Sequence, residues 1–236
     1  VGVLGLQNCD LESFGRYGEL LDRWGVGLEV VRPDRDDWIP HWGGFDAVLV
    51  GGTPVSATEV EKHRFLLREV EYLAEAVFAG VPCFGICCGA QLLARILGAR
   101  VERCERMEIG CFDVRVTVEG FRDHVLKGFP REFPVFQWHG DVFGLPEGGR
   151  LLVEGDSCRH QMFRAGSVVG VLFHLEVAAS EVGRWADEYE DELRSIGGDK
   201  AAVARECEAN DSTMADLSAL LLGNFLRSVA GVPLAV

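Results

Sequence analysis

Gly85-Ile86-Cys87-Cys88-Gly89-Ala90-Gln91 joins the run Gly80-Val81-Pro82-Cys83-Phe84 to a helix-like segment, Leu92-Leu93-Ala94-Arg95-Ile96-Leu97. A strand that ends on Gly-x-Cys and turns at once into a helix needs a sharp corner, with the cysteine at its apex. The glycines on either side, Gly85 and Gly89, are expected to give the chain the freedom to turn there. A helix that begins behind the sulfur directs its positive end at it and favours thiolate, the reactive form. Such a corner belongs to parallel sheets, whose ligands gather at the carboxyl ends of the strands.

The preceding sequence agrees. Val1-Gly2-Val3-Leu4-Gly5-Leu6 reads as a buried strand, a helix follows over about 17–24, and Gly27-Leu28-Glu29-Val30-Val31 is a second strand. Phe45-Asp46-Ala47-Val48-Leu49-Val50 is a third, ending at Gly51-Gly52, and an amphipathic helix over about 59–78 leads to the strand before Cys87. This alternation predicts an α/β fold with a doubly wound, mostly parallel sheet and helices on both faces. From 100 to 174 the pattern changes to short β-type runs, which we read as mixed or antiparallel strands added to the sheet. Beyond about 178 the spacing is helical, over 182–193 and 214–229, with a break at Gly197-Gly198-Asp199. No linker marks a second domain. Residues 1–236 are therefore expected to form a single domain, with 178–236 as a helical C-terminal extension.

Charge narrows the partners. Lys plus Arg total 23 against 37 Asp plus Glu, a net charge of -14, which opposes binding to nucleic acid or to an anionic membrane. No apolar run reaches membrane-spanning length and no signal-peptide pattern is present. The eight cysteines, in a chain with 48% hydrophobic residues, read as reduced thiols of a cytoplasmic protein and not as a disulfide scaffold. Cys83-x-x-x-Cys87-Cys88 lacks the Cys-x-x-Cys pairing of zinc sites and no second cluster supplies the remaining ligands, so neither metal nor cofactor is expected.

A cysteine nucleophile needs a base, and the base needs a group to hold its tautomer. In Phe173-His174-Leu175-Glu176 the histidine and the glutamate project to one side if strand geometry persists. Taken alone, His174 reads first as a strand-terminal histidine capped by its neighbour.

Together, Gly-x-Cys-x-Gly-x-Gln and Phe-His-x-Glu resemble the class I, triad-type glutamine amidotransferases, in particular stand-alone GMP-synthase-like glutaminase domains. Gly51-Gly52 is similar to that family's oxyanion-strand glycines, Glu108-Ile109-Gly110 to its Glu-x-Gly segment, and Trp138-His139-Gly140-Asp141 to its His-Gly-Asp loop. The resemblance runs from Val1 to about Glu176; the tail, with Trp185 and Asn224-Phe225-Leu226, is similar to stand-alone members. It implies a flavodoxin-like fold in which Cys87 attacks the glutamine carboxamide to give a γ-glutamyl thioester. His174 would protonate the departing ammonia and then activate water, with Glu176 holding the imidazole. The backbone N–H groups of Gly52 and Cys88 are the implied oxyanion donors. Gly51, Gln91, His139, Gly140 and Asp141 are the implied substrate-binding residues, and Glu108 is structural.

Three positions depart from the family pattern. Leu175 stands where proline is usual, Cys88 where larger side chains are common, and Thr53-Pro54 follows the glycines where proline often comes sooner. Leucine is expected to loosen the His-x-Glu segment, and the Cys88 thiol to invite oxidation beside Cys87. No glycine-rich nucleotide loop occurs, so a reaction that consumes ammonia requires a synthetase or acceptor protein as partner. Otherwise the small-molecule substrate is a γ-glutamyl peptide or conjugate that the chain hydrolyses or transfers. A catalytically weak regulatory binding protein of the same fold is the remaining alternative.

Overall fold

The computed structural model describes residues 1–234. In chain order the elements are β1 (Gly2–Leu6), α1 (Gly15–Arg23), β2 (Gly27–Val31), β3 (Ala47–Val50), α2 (Arg64–Phe78), β4 (Cys83–Ile86), α3 (Cys88–Ile96), β5 (Val101–Val116) and α4 (Val118–Arg122). There follow β6 (Glu132–Phe143), β7 (Arg150–Glu154), β8 (His160–Ala165), β9 (Val168–Val171), α5 (Ala179–Glu188), α6 (Glu190–Ser195) and α7 (Lys200–Ser228). The strands form one sheet in the order β2-β1-β3-β4-β9-β8-β7-β5-β6. Strands β2, β1, β3, β4 and β9 pair in parallel, and β8, β7, β5 and β6 continue the sheet antiparallel.

The parallel strands bury both faces, and their alternation divides the core. Val3, Ala47, Leu49, Phe84 and Val169 join one cluster with Tyr17 and Leu21 of α1, Trp185 of α5 and Phe225 of α7. Leu4, Leu6, Val48, Val50 and Cys83 join the opposite cluster with Leu73 of α2 and Leu93 of α3. Helices therefore cover both faces. Phe225 lies 5.2 Å from Phe84 and Asn224 Nδ2 donates to the Lys127 carbonyl (2.8 Å), so the C-terminal helix packs into the sheet's own core.

Several boundaries differ from the sequence expectation. The helix expected over 59–78 begins at Arg64; before it Ala57–Lys62 forms 3₁₀ turns, and extended His63 interrupts the helical path. The short β-type runs expected after residue 100 include two long strands, β5 and β6, which pair along most of their length. The helix expected over 182–193 divides at Tyr189, whose backbone leaves the helical region (φ -107°, ψ 36°). The last helix starts at Lys200, well before 214, because Asp199 caps it by accepting from the Ala202 N–H (2.7 Å). Among the described residues no helix is long and apolar enough to cross a membrane.

Candidate active site

Cys87 lies between β4 and α3 with φ 51° and ψ -111°, the only non-glycine residue with positive φ among the described residues. Such a conformation costs about 1–3 kcal/mol and persists only where its surroundings fix it. Here the Cys87 N–H donates to the Val171 carbonyl (2.8 Å), and its own carbonyl accepts from the Gln91 N–H (3.1 Å). Neither Gly85 nor Gly89 has positive φ, so they do not supply turning freedom. They supply clearance instead: a Cβ at Gly85 would meet the Ala90 nitrogen at 2.6 Å, and one at Gly89 would run into the Val50 carbonyl. Close packing of α3 on β3 and β4 leaves the strain on the cysteine itself.

His174 follows β9 and is joined to β6 by an isolated antiparallel bridge, its N–H donating to the Phe136 carbonyl (2.8 Å). Its Nδ1 lies 2.5 Å from Glu176 Oε1, while Nε2 has no hydrogen-bond partner among the described residues. Trp185 packs edge-on against the imidazole at 5.0 Å. The Leu175 side chain, between His174 and Glu176 in sequence, is fully buried in the core. The Glu176 carbonyl also accepts the Arg16 N–H (2.9 Å).

Charge at the centre follows from burial. Burial pushes the Cys87 thiol up, and the neighbouring His174 opposes that rise without cancelling it. The thiol points to the Trp138 carbonyl at 3.8 Å. Burial alone would lower His174, but the Glu176 charge, with the Cys87 contact, holds it well above its ordinary value. Burial thus works against the helix terminus at the thiol, while the Glu176 charge makes the adjacent imidazole more basic.

Gly52 and Cys88 flank the sulfur. A Cβ at Gly52 would lie 3.6 Å from Cys87 Cβ, and the Cys88 N–H stabilises the Cys87 sulfur's charge. The Cys88 side chain points away, donating to the Val55 carbonyl (3.7 Å) within a small apolar cluster. Burial, then the Cys87 charge, raises this thiol well above its usual range, which lowers its expected redox liability. Gly51 stands behind the pocket, its N–H spent on the Leu6 carbonyl (2.9 Å).

Gln91 is buried and donates through Nε2 to the Asp141 carbonyl (2.9 Å), tying α3 to β6. His139, Gly140 and Asp141 line the pocket, but from within β6 and not from a loop. The Asp141 carboxylate accepts from Ser56 Oγ (2.5 Å) and pairs with Arg103 Nε (3.2 Å). Glu108 accepts from Gln161 Nε2 (3.1 Å) and lies 3.0 Å from His139 Nε2.

The sequence reading missed the rim. Glu12, in the loop after β1, reaches over Gly52 and accepts from the Tyr189 hydroxyl (3.1 Å). Trp138 Nε1 donates to Glu192 Oε2 (2.7 Å), so α6 closes the same opening. Burial raises the Glu12 carboxyl to about 7, against the opposing charge of His174. Its place at the carboxyl end of a parallel strand was the available signal; Tyr189 and Glu192 carried none.

Comparison with known proteins agrees with this geometry. The family profile described as glutamine amidotransferase class-I matches residues 19–185. A glutamine-hydrolyzing GMP synthase subunit of Sulfolobus acidocaldarius is 33% identical over 175 residues, covering 72% of this chain and 88% of that protein. The glutamine amidotransferase-like protein YfeJ of Salmonella typhimurium is 31% identical over 192 residues, covering 79% and 80% respectively. A crystal structure of a glutamine amidotransferase from Thermotoga maritima superposes with a TM-score of 0.88 at 29% identity, covering 96% of this chain and 98% of that one. The chain belongs to the class I glutamine amidotransferases.

Proposed function

We propose that this chain hydrolyses the side-chain amide of glutamine through a γ-glutamyl thioester on Cys87. The observation that carries this reading is the strained cysteine beside His174, whose Nδ1 is 2.5 Å from Glu176. His174 takes the thiol proton as sulfur attacks the carboxamide carbon, and gives it to the departing ammonia. It then removes a proton from the water that opens the thioester, while Glu176 fixes the imidazole and balances its charge. Gly52 and Cys88 N–H groups receive the oxyanion. Gln91, His139, Gly140 and Asp141 shape the wall, with Gly51 behind it.

A pocket of about 60 Å³, lined by Cys87, Gln91 and Asp141 with Glu12 and Tyr189 at its rim, is where the carboxamide would enter. The relative from Sulfolobus is named as one subunit of a synthase, which supports an ammonia-consuming synthetase or acceptor on a partner chain. The eight free cysteines support a reducing, cytoplasmic setting, and the packing of the C-terminal helix supports one domain over 1–236. Ammonia release from glutamine, alone and with candidate partner chains, tests the reading, alongside labelling of Cys87 by a glutamine-analogue electrophile. Neither release nor labelling under any of these conditions would return the chain to a binding role. Faster turnover of γ-glutamyl peptides than of glutamine would reassign the substrate.

A further inference from the structure

Behind the His139 wall, β5 leaves its ladder. Arg103 pairs with Asp141 and Glu108 with His139, so residues 104–107 stand opposite Gly140 alone. Within this bulge the Cys104 thiol donates to the Gly140 carbonyl (3.1 Å). Cys158 enters from the turn between β7 and β8, its N–H donating to Glu108 Oε1 (3.4 Å). One ring nitrogen of His139 and the sulfurs of Cys104 and Cys158 all lie within 4.8 Å of one another. The His139 side chain is 1% exposed, its Nε2 lies against the Glu108 carboxylate, and Nδ1 has no hydrogen-bond partner among the described residues. An imidazole held by a carboxylate through one nitrogen and free at the other is the usual form of a metal-binding histidine.

We propose that Cys104, Cys158 and His139 bind a thiophilic divalent cation of the zinc class. Tetrahedral bonds of the usual zinc lengths place such ligand atoms about 3.5–3.8 Å apart. The three groups therefore need to close by no more than about 1 Å, within reach of side-chain rotation in a bulged segment. A cavity of about 550 Å³, lined by Cys104, Cys158 and His160, adjoins the cluster and lets water fill the fourth position. Binding releases the two thiol protons to solvent and reduces nothing. The ion ties β5, β6 and the β7–β8 turn together behind Gly140 and Asp141, so it fixes the pocket wall without touching Cys87. The proposal is independent of the glutamine reading.

Cobalt(II) titration of the full chain under reductant, followed by thiolate-to-cobalt absorption, tests this. One equivalent is expected to bind and to be displaced by zinc. Cys104→Ser and Cys158→Ser should each weaken binding by about 100-fold or more, whereas Cys111→Ser should leave it unchanged. Because a buried variant can misfold, a second measurement uses the unaltered protein: zinc should slow alkylation of Cys104 and Cys158 and of no other cysteine. Absence of the band in folded protein overturns the proposal. So does a band that survives the Cys104→Ser/Cys158→Ser pair, or zinc-independent alkylation.

Discussion

The floor of the pocket and its rim are built by different means. The floor at Cys87, with Gly52 and His174 beside it, is set by main chain: a strained corner, strand ends and glycines where a Cβ has no room. The rim, with Glu12, Tyr189, Trp138 and Glu192, is set by side chains that meet across long sequence separations. A backbone-built floor tolerates almost no substitution, whereas a rim built from hydrogen-bonded side chains can change its chemistry while the floor stays intact.

The largest expected effects test the floor. Cys87→Ala or His174→Ala should lower the rate of ammonia release by about 10⁴-fold or more, and Glu176→Gln should come close. A small effect from either of the first two would break the comparison at its root. Gly89→Ala places a methyl group into the Val50 carbonyl and should cost about 3 kcal/mol in urea unfolding. Gly183→Ala, in α5 with nothing within 4 Å of its added Cβ, should stabilise by up to about 1 kcal/mol. Equal penalties at the two sites would show that close approach does not govern the corner.

The rim should respond to pH. Glu12 titrates near 4.5 when unfolded and about 7 when folded. Its folded form therefore holds a proton that the unfolded chain releases between those values, and stability falls as pH rises through that window. The loss is about 3 kcal/mol in total and is complete above the folded value. Thermal melts from pH 4.5 to 7.5 should show a steeper decline for the unaltered chain than for Glu12→Gln. Glu69, raised to about 8 by burial, adds a decline of the same sign in both proteins, so only the difference reports Glu12. The smallest effect belongs to Tyr189→Phe, which removes one hydrogen bond from Glu12 and should cost about 1 kcal/mol. Its kinetic trace should lie mainly in the KM for glutamine, and a large kcat loss would move Tyr189 onto the floor.

Legibility in the sequence follows the same division. Local backbone demands leave local signatures, so Gly85-x-Cys87-x-Gly89 and His174-x-Glu176 were readable, as was the alternation that builds the parallel strands. The reason for the glycines was not, because clearance against Val50 depends on how α3 packs, which spacing does not encode. Strand β5 was unreadable over its first half, where Glu102, Arg103, Glu105 and Arg106 carry little hydrophobic alternation and the bulge interrupts the period. Cys104, His139 and Cys158 come from three separate segments, so a search for closely spaced ligands could not join them. The division at Tyr189 was hidden because the apolar period runs across it.

The hydrogen bond from Tyr189 to Glu12 joins residues on opposite sides of the stretch the family profile matches, 19–185, with Glu12 before it and Tyr189 and Glu192 after it. Kinship measured over that stretch covers Cys87, His174 and Glu176 and is silent about Glu12, Tyr189 and Glu192 at the rim of the pocket. Two proteins with the same matched core can thus diverge in diet by changes that a comparison of their cores does not register. A fragment trimmed to the matched stretch would keep Cys87 and lose Glu12, Tyr189 and Glu192, together with β1.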